Sequence, residues 1–335
     1  MTTIIHTRPG KEHFDLFQEL PQRLYSKEEQ LFMSAKNLNE DLLKDCYVLL
    51  LDGEPVARAA LYINPHLKFQ DKTSCCIGNY ESIDNVEIGS ALLRYVISSA
   101  KIHGSEFIVG PMNGSTWDNY RFSDHHDQPL FFTESYHHLY YNQHFMAAGF
   151  GVIAHYYSNI AGPTLPTDSE IHKKDQELLA NGVKIRPIDL ENYDFEMGRI
   201  HQFNTFAFSH NFLYTPISQE AFIKKYAGMA TVLNPDYTLM AEDADGNLIG
   251  YYFCVNDKFN GSEKSLIFKT LVRHPDSKWR GLGHVMGHQI YQKAISEGYK
   301  SFIHPFIYEN GTSINLSRNF SGERFKTYVL YGKEI

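Results

Sequence analysis

The sequence predicts a mixed α/β (α+β) chain made of two similar halves, each a strand-rich sheet flanked by helices. Three observations carry this expectation. At 335 residues the chain is long for a single hydrophobic core and comfortable for two. The order strand, helix, strand occurs twice, over residues 73–111 and again over 265–308. Between them lies Ala161-Gly-Pro-Thr-Leu-Pro-Thr-Asp-Ser-Glu, which has the Pro, Gly and Ser/Thr content of a connector. The expected organisation is a first domain over 1–160, a linker over 161–180 and a second domain over 181–335.

In the first half, residues 45–62 read as a hairpin turning at Asp52-Gly53, a pair suited to a tight turn. A strand follows over 73–80, a helix over 87–101, and another strand over 106–111. The link into that helix, Glu81-Ser-Ile-Asp-Asn-Val-Glu, has no glycine, no cation and three acidic residues. Residues 140–150 form a further helix ending at Gly149-Phe150. Residues 171–180 are expected as a short helix that Asn181-Gly182 ends. Val183-Lys-Ile-Arg-Pro-Ile-Asp opens the second half as a strand, and helices run over 193–206 and 218–229, the latter with Ser218 as N-cap. Residues 236–255 form a second hairpin, turning at Asp245-Gly246.

The chemistry concentrates in 265–296. An apolar run containing β-formers, ended by Pro275, gives way to Lys278-Trp-Arg-Gly-Leu-Gly and then to Met286, Ile290 and Ala294 at helical spacing. Small residues at a helix start let backbone N–H groups approach a ligand, and the helix dipole favours negative charge there. Lys278 and Arg280 add cations, so the loop suits a phosphate or pyrophosphate. The dinucleotide pattern G-x-G-x-x-G fails, because Met286 stands where its third glycine belongs and Gly287 comes one residue late. A phosphate-binding loop ending Gly-Lys-Ser/Thr is absent as well.

The stretch instead resembles the acetyl-CoA loop of the GCN5-related N-acetyltransferases, Q/R-x-x-G-x-G/A. Leu271-Val272-Arg273-His274-Pro275 matches that family's fourth strand and its following proline, and Lys278, Gly281 and Gly283 fall on the motif positions. Lys278 replaces the usual Arg or Gln, and Trp279 stands where glycine is common. Downstream, Gly298 closes the helix, 301–308 is a strand, Asn310 follows it, Ser313-Ile-Asn-Leu is a short helix and 325–333 a terminal strand, in that family's order. The resemblance implies two such domains, each a mixed, mostly antiparallel twisted sheet, with a first copy that has lost its cofactor loop.

It further implies that acetyl-CoA or another acyl-CoA is the co-substrate. Leu271, Val272 and Arg273 would hold the pantetheine amides in a gap between the fourth and fifth strands. Lys278, Trp279, Arg280, Gly281, Leu282, Gly283 and His284 would hold the pyrophosphate, and Asn310 would lie near the thioester. Attack by an amine needs a base, since an ammonium near pKa ~10 must first lose its proton. His304 and Glu309, at the end of the fifth strand, are the base candidates. Where the family often has a tyrosine to protonate the departing thiolate, gapless placement puts Ser317, which leaves Tyr308 as another donor, unassisted departure, or no catalysis.

Composition limits the function classes. A net charge of −8 argues against a broad nucleic-acid surface, and no apolar run approaches the ~20 residues of a membrane span. Cys46, Cys75, Cys76 and Cys254 show no metal spacing and read as reduced thiols of a cytoplasmic protein. Seventeen histidines, His125-His126-Asp127 and His137-His138 among them, read as surface-loop residues with no metal expected. Aromatic-rich stretches near Phe131, over 136–141 and over 203–214 are mostly core, with Tyr140 and Phe212 as candidates to line an acceptor pocket. The loop Asn113-Gly-Ser-Thr-Trp-Asp is a second candidate to face it. The expected function is an acyl-CoA-dependent N-acyltransferase acting on a small amine or amino-acid-like acceptor. The alternatives are a silent acyl-CoA-binding protein, suggested by Ser317, and an aminoacyl-tRNA-using transferase, which an acidic chain does not favour.

Overall fold

The computed structural model describes residues 1–33, 38–165, 169–311, 317, 320 and 322–335. The first half runs β1 (Thr2–Thr7), α1 (Phe14–Leu24), β2 (Leu43–Leu51), β3 (Glu54–Phe69), β4 (Lys72–Ser82), α2 (Val86–Ile102), β5 (Phe107–Gly110), the two-residue β6 (Phe122–Ser123), α3 (Tyr140–Ala147) and β7 (Gly151–Ala161). The connector carries α4 (Ser169–Ala180). The second half runs β8 (Lys184–Pro187), α5 (Tyr193–Ala207), α6 (Gln219–Tyr226), β9 (Thr238–Glu242), β10 (Leu248–Asn256), β11 (Ser265–Arg273), α7 (Leu282–Ser296), β12 (Ser301–Tyr308) and β13 (Glu323–Glu334). The short helix expected at 313–316 lies outside the described residues.

Turn chemistry sets the hairpins. Asp52 and Gly53 take φ of 51° and 91°, the left-handed pair that a two-residue turn between twisted strands requires. Gly246 supplies the same freedom at φ 81° in the second hairpin. The helix predicted over 218–229 ends at Tyr226 and tightens into a 3-10 turn over Ala227–Thr231, although Ser218 caps its start as expected.

All the described strands belong to one sheet, in the order β1-β2-β3-β4-β5-β13-β7-β12-β11-β10-β9-β8, with β6 beside β13. Among the described strands, β4–β5 and β11–β12 are the parallel pairs, and α2 and α7 connect them. The rest pair antiparallel. Each half thus repeats one unit, and the two units meet at the centre of the sheet.

They meet by exchanging strands. β13, from the end of the second half, pairs with β5 of the first (Tyr331 opposite Gly110), while β7 pairs with β12 of the second (Phe302 opposite Ala161). β7 and β13 also pair with each other. The exchange is anchored by side chains: Val329 and Tyr331 join the core under α2 and α3, and Lys326 forms a buried ion pair with Glu134 at 2.6 Å. Leaving either charge of such a pair alone costs about 3–5 kcal/mol. Helices cover both faces, α2 with α3 and α1 on the first half, α7 and α5 with α6 on the second.

Because each half's sheet is completed by a strand from the other, the halves should not fold independently. Fragments 1–165 and 169–335 expressed separately are expected to lack cooperative thermal transitions and to regain one when mixed. Two fragments that each melt cooperatively alone would contradict this.

Candidate active site

The loop after β11 is built by local capping. Asp276 accepts a hydrogen bond from the Lys278 N–H at 3.0 Å, closing the turn Ser277–Trp279. Trp279 is buried as the loop's anchor, and the Lys278 ammonium lies over its ring at 4.6 Å. Gly281 then takes φ +93° at the N-cap of α7. It has no side chain to bond the Leu282 and Gly283 amides at the helix start, whereas the His284 amide donates to Gly281 O at 3.0 Å. Leu282 and Gly283 are buried behind it, and a Cβ on Gly283 would approach Leu271 at 3.0 Å. Arg280 and Lys278 stay exposed at the mouth.

The corresponding helix start in the first half is occupied. Asn85 accepts from the Glu87 and Ile88 amides at 3.0 and 3.1 Å, so a side chain fills the place an anion would take. Glu81 is held by Arg58 at 2.9 Å in a largely buried pair. The two loops therefore differ in the groups offered, as the sequence contrast between Glu81–Glu87 and Lys278–Gly283 implies.

Beyond the loop, β11 and β12 part. They pair only from Ser265–Ser301 to Ile267–Ile303. Pro305 has no N–H to give, Phe306 takes a left-handed φ of 57°, and the register against β7 shifts between His304 and Ile307. The edge of Leu271, Val272 and Arg273 that faces β12 consequently carries no strand. The gap opens into a cavity of about 730 Å³ lined by both halves, including Trp117, Arg121, Phe212, Lys269 and Tyr308. In the first half the equivalent gap is closed: Met112 N–H donates to Ile77 O at 2.8 Å, and Asn79 N–H donates to the Asn113 side chain at 2.8 Å.

The predicted residues fall into three groups. Leu271, Val272, Arg273, His304 and Tyr308 line the cavity, as does Ser317. Lys278 to His284 form the loop around the α7 start, with Arg273 turned to the carbonyls of His274 and Asp276. Glu309 is exposed outside the cavity lining, and Asn310 is exposed with its amide 3.5 Å from the Tyr308 hydroxyl. Of the acceptor-pocket candidates, Phe212 and the loop at Trp117 face the cavity. Tyr140 does not: its hydroxyl bonds Ser82 O at 3.0 Å beside the first-half core, because α3 packs on α2.

His304 is buried between two hydroxyls, with Nδ1 2.7 Å from Ser317 Oγ and Nε2 2.9 Å from the Tyr291 hydroxyl. Asn159 on β7 donates to Ser317 Oγ at 2.8 Å. Burial lowers the His304 pKa to about 4, so the ring is neutral at neutral pH. Three residues were not singled out by the sequence. Lys174 on α4 lies over the loop, its Cγ 2.8 Å from where a Cβ on Gly281 would stand. Lys269 interrupts an otherwise apolar strand and points into the cavity. Burial first, then the nearby Arg121 and Lys225, push its pKa down to about 8. Arg121 holds φ +70° and stacks on Phe306 at 3.9 Å and Tyr120 at 4.1 Å.

The uncapped loop, the parted strands and the duplicated order define a chain with the GCN5-related N-acetyltransferase fold, in tandem. It is similar to a GCN5-related glucosamine N-acetyltransferase region of a fungal multi-domain GH3 β-N-acetylglucosaminidase, at TM-score 0.59 and 12% identity, over 99% of this chain and 38% of that one. A GCN5-related N-acetyltransferase from Sphaerobacter thermophilus matches at TM-score 0.52 and 12% identity, over 99% and 95% of the two chains. A tandem GNAT protein from the clavulanic acid biosynthesis pathway matches at 0.53 and 11%, over 100% and 98%. At these identities the likeness is one of fold. No protein-family model matches the sequence, and no curated protein matches it. No helix among the described residues is long and apolar enough to cross a membrane.

The buried imidazole makes a pH prediction. Below about 6.5 the unfolded chain binds a proton at His304 that the folded chain refuses until about 4, so this contribution to stability falls as pH drops through that window. Urea unfolding at stepped pH should show a shallower acid decline for His304→Asn than for the wild type; equal slopes would contradict it. Asn85→Ala should lower stability by about 1 kcal/mol through the lost cap.

Proposed function

We propose that the protein is an acyl-CoA-dependent N-acyltransferase that acylates the amine of a small acceptor bound in the cleft between its halves. The observation that supports it best is the contrast between two equivalent helix starts, one sealed by Asn85 and one left open at Gly281. The residues fit an acyl-CoA. The amides of Gly281 to Gly283 would face its pyrophosphate, with Lys278 and Arg280 adding charge and Lys174 alongside. The free edge of Leu271 to Arg273 would pair with the amides of the pantetheine arm. Bound there, an acyl-CoA supplies an activated acyl group at the parting of β11 and β12.

The chain's own groups then act on the acceptor. Cations at Arg121 and Lys269 disfavour an ammonium beside them, which eases loss of the amine proton to cleft water. The amine nitrogen forms a bond to the thioester carbonyl carbon, the carbon–sulfur bond breaks, and the thiolate leaves and takes a proton. Two hydroxyls of the expected donor positions face this place. Ser317 is already tied to His304 and Asn159, whereas the Tyr308 hydroxyl has, among the described residues, only the long hydrogen bond from Asn310. Proton return is therefore assigned to Tyr308. His304 orients Ser317, and no step is assigned to Glu309, which lies outside the cavity lining.

Ser317 also supports a second reading, an acyl-CoA-binding protein without turnover. A screen of amines with acetyl-CoA, reading free thiol, separates the two. The proposed enzyme releases thiol with at least one amine class, and Tyr308→Phe lowers kcat by about 10²–10⁴ with CoA affinity unchanged. CoA binding without thiol release from any amine would favour the second reading. Gly281→Val should abolish the calorimetric heat of CoA binding, and no heat from the wild type would remove both readings.

A further inference from the structure

The charges lining the cleft do not balance. Its acidic lining residues are each matched: Asp118 is paired with Lys225, and Glu134 with the buried Lys326. Arg121 and Lys269 have no carboxylate among the described residues. The Arg121 guanidinium is held between aromatic rings, 3.9 Å from Phe306, 4.1 Å from Tyr120 and 5.0 Å from Tyr156. Rings on its faces fix its plane and leave its N–H edge for a ligand. Its backbone is left-handed at φ 70°, and so is that of Phe306 at 57°, so two sparsely populated conformations bring this pair together.

Lys269 reaches the same space from β11, its side chain solvent-exposed within the cavity. Of the cations that act on it, Lys225 is already paired with Asp118 while Arg121 is not, and their field with the cleft's desolvation disfavours its own charge. Gathering like charges in one cleft is unfavourable unless an anion enters. The site is at the first residues beyond the last paired rung of β11 and β12, where an acyl group carried along Leu271 to Arg273 would end. An anion held there keeps the remainder of the acceptor beside the thioester.

We propose that Arg121 and Lys269 form a carboxylate-binding subsite, so that the acceptor is an amine carrying a carboxylate, of the amino-acid class. This rests on the acyltransferase reading above. An edge-on guanidinium suits the planar, two-oxygen group of a carboxylate, and Lys269 supplies a second donor to it. A phosphate-bearing amine would meet the same charges and is an outcome of the test.

The test compares three sets of acceptors with acetyl-CoA: amino acids, the amines left by their decarboxylation, and phosphoethanolamine. The expected result is turnover of an amino acid in preference to its matched amine. Lys269→Met should raise KM for that amino acid about ten- to a hundred-fold relative to KM for the matched amine, the worth of one charge-assisted hydrogen bond, with CoA affinity unchanged. Lys269→Arg should recover most of the loss. Arg121→Met should act in the same direction, with far-ultraviolet circular dichroism confirming its fold. Equal use of amino acid and matched amine, preference for phosphoethanolamine, or an unchanged ratio in Lys269→Met would overturn the subsite and leave the acyltransferase reading standing. Calorimetry of the amino acids into CoA-loaded protein provides a readout without turnover. Heat lost in Lys269→Met supports the subsite even if no thiol is ever released, and no heat from any amino acid overturns it.

Discussion

The departure of β12 from β11 after Ile303 is the constraint on which the rest of this structure depends. A parallel pair joined by a helix would ordinarily continue as a ladder. Here Pro305 removes a donor and Phe306 turns left-handed, so β12 bends toward β7 and its pairing with that strand resumes only at Ile307. One side of β11 is left without a partner for the length of Leu271 to Arg273. That edge, the opening beside it and the Phe306 ring against Arg121 all follow from the same bend.

The first half shows what happens when the gap is not kept. β5 is followed directly by Pro111, but Met112 returns a hydrogen bond to Ile77, and Asn113 bonds the Asn79 amide. A Cβ on Gly78 would stand 2.3 Å from the Asn113 side-chain oxygen, so the space is filled. Asn85 satisfies the amides of α2. One copy has become a packed support, and the other retains an open edge and an uncapped helix. Strand exchange ties them together, since β7 from the first copy carries Asn159 to Ser317 and thereby steadies the groups around His304.

Local features were legible in the sequence because they depend on local chemistry. Asp52-Gly53, Asp245-Gly246 and Ser218 fixed turns and a cap, and Lys278 through Gly283 marked the open loop. The end of α6 was missed because residues 227–231 suit a tightened turn as well as a helix. The strand exchange was not legible: β7 and β13 carry similar continuous buried runs, and either could complete either sheet by pattern alone. Partners so distant are chosen by packing, for instance of Lys326 against Glu134. The cleft's cations escaped notice for the same reason. Lys269 stands out in an apolar strand, yet Arg121 lies some 150 residues earlier, and only the joined sheet makes them neighbours. Glu309 looked well placed at a strand end, but the side chain lies beyond the bend, outside the lining.

The most direct measurement is amide hydrogen exchange with and without CoA. Protection should rise across residues 271–284, along the free edge and the first turn of α7, and stay unchanged across 81–88, where Asn85 already holds the amides. Equal protection of both helix starts, or none at 271–284, would contradict the account.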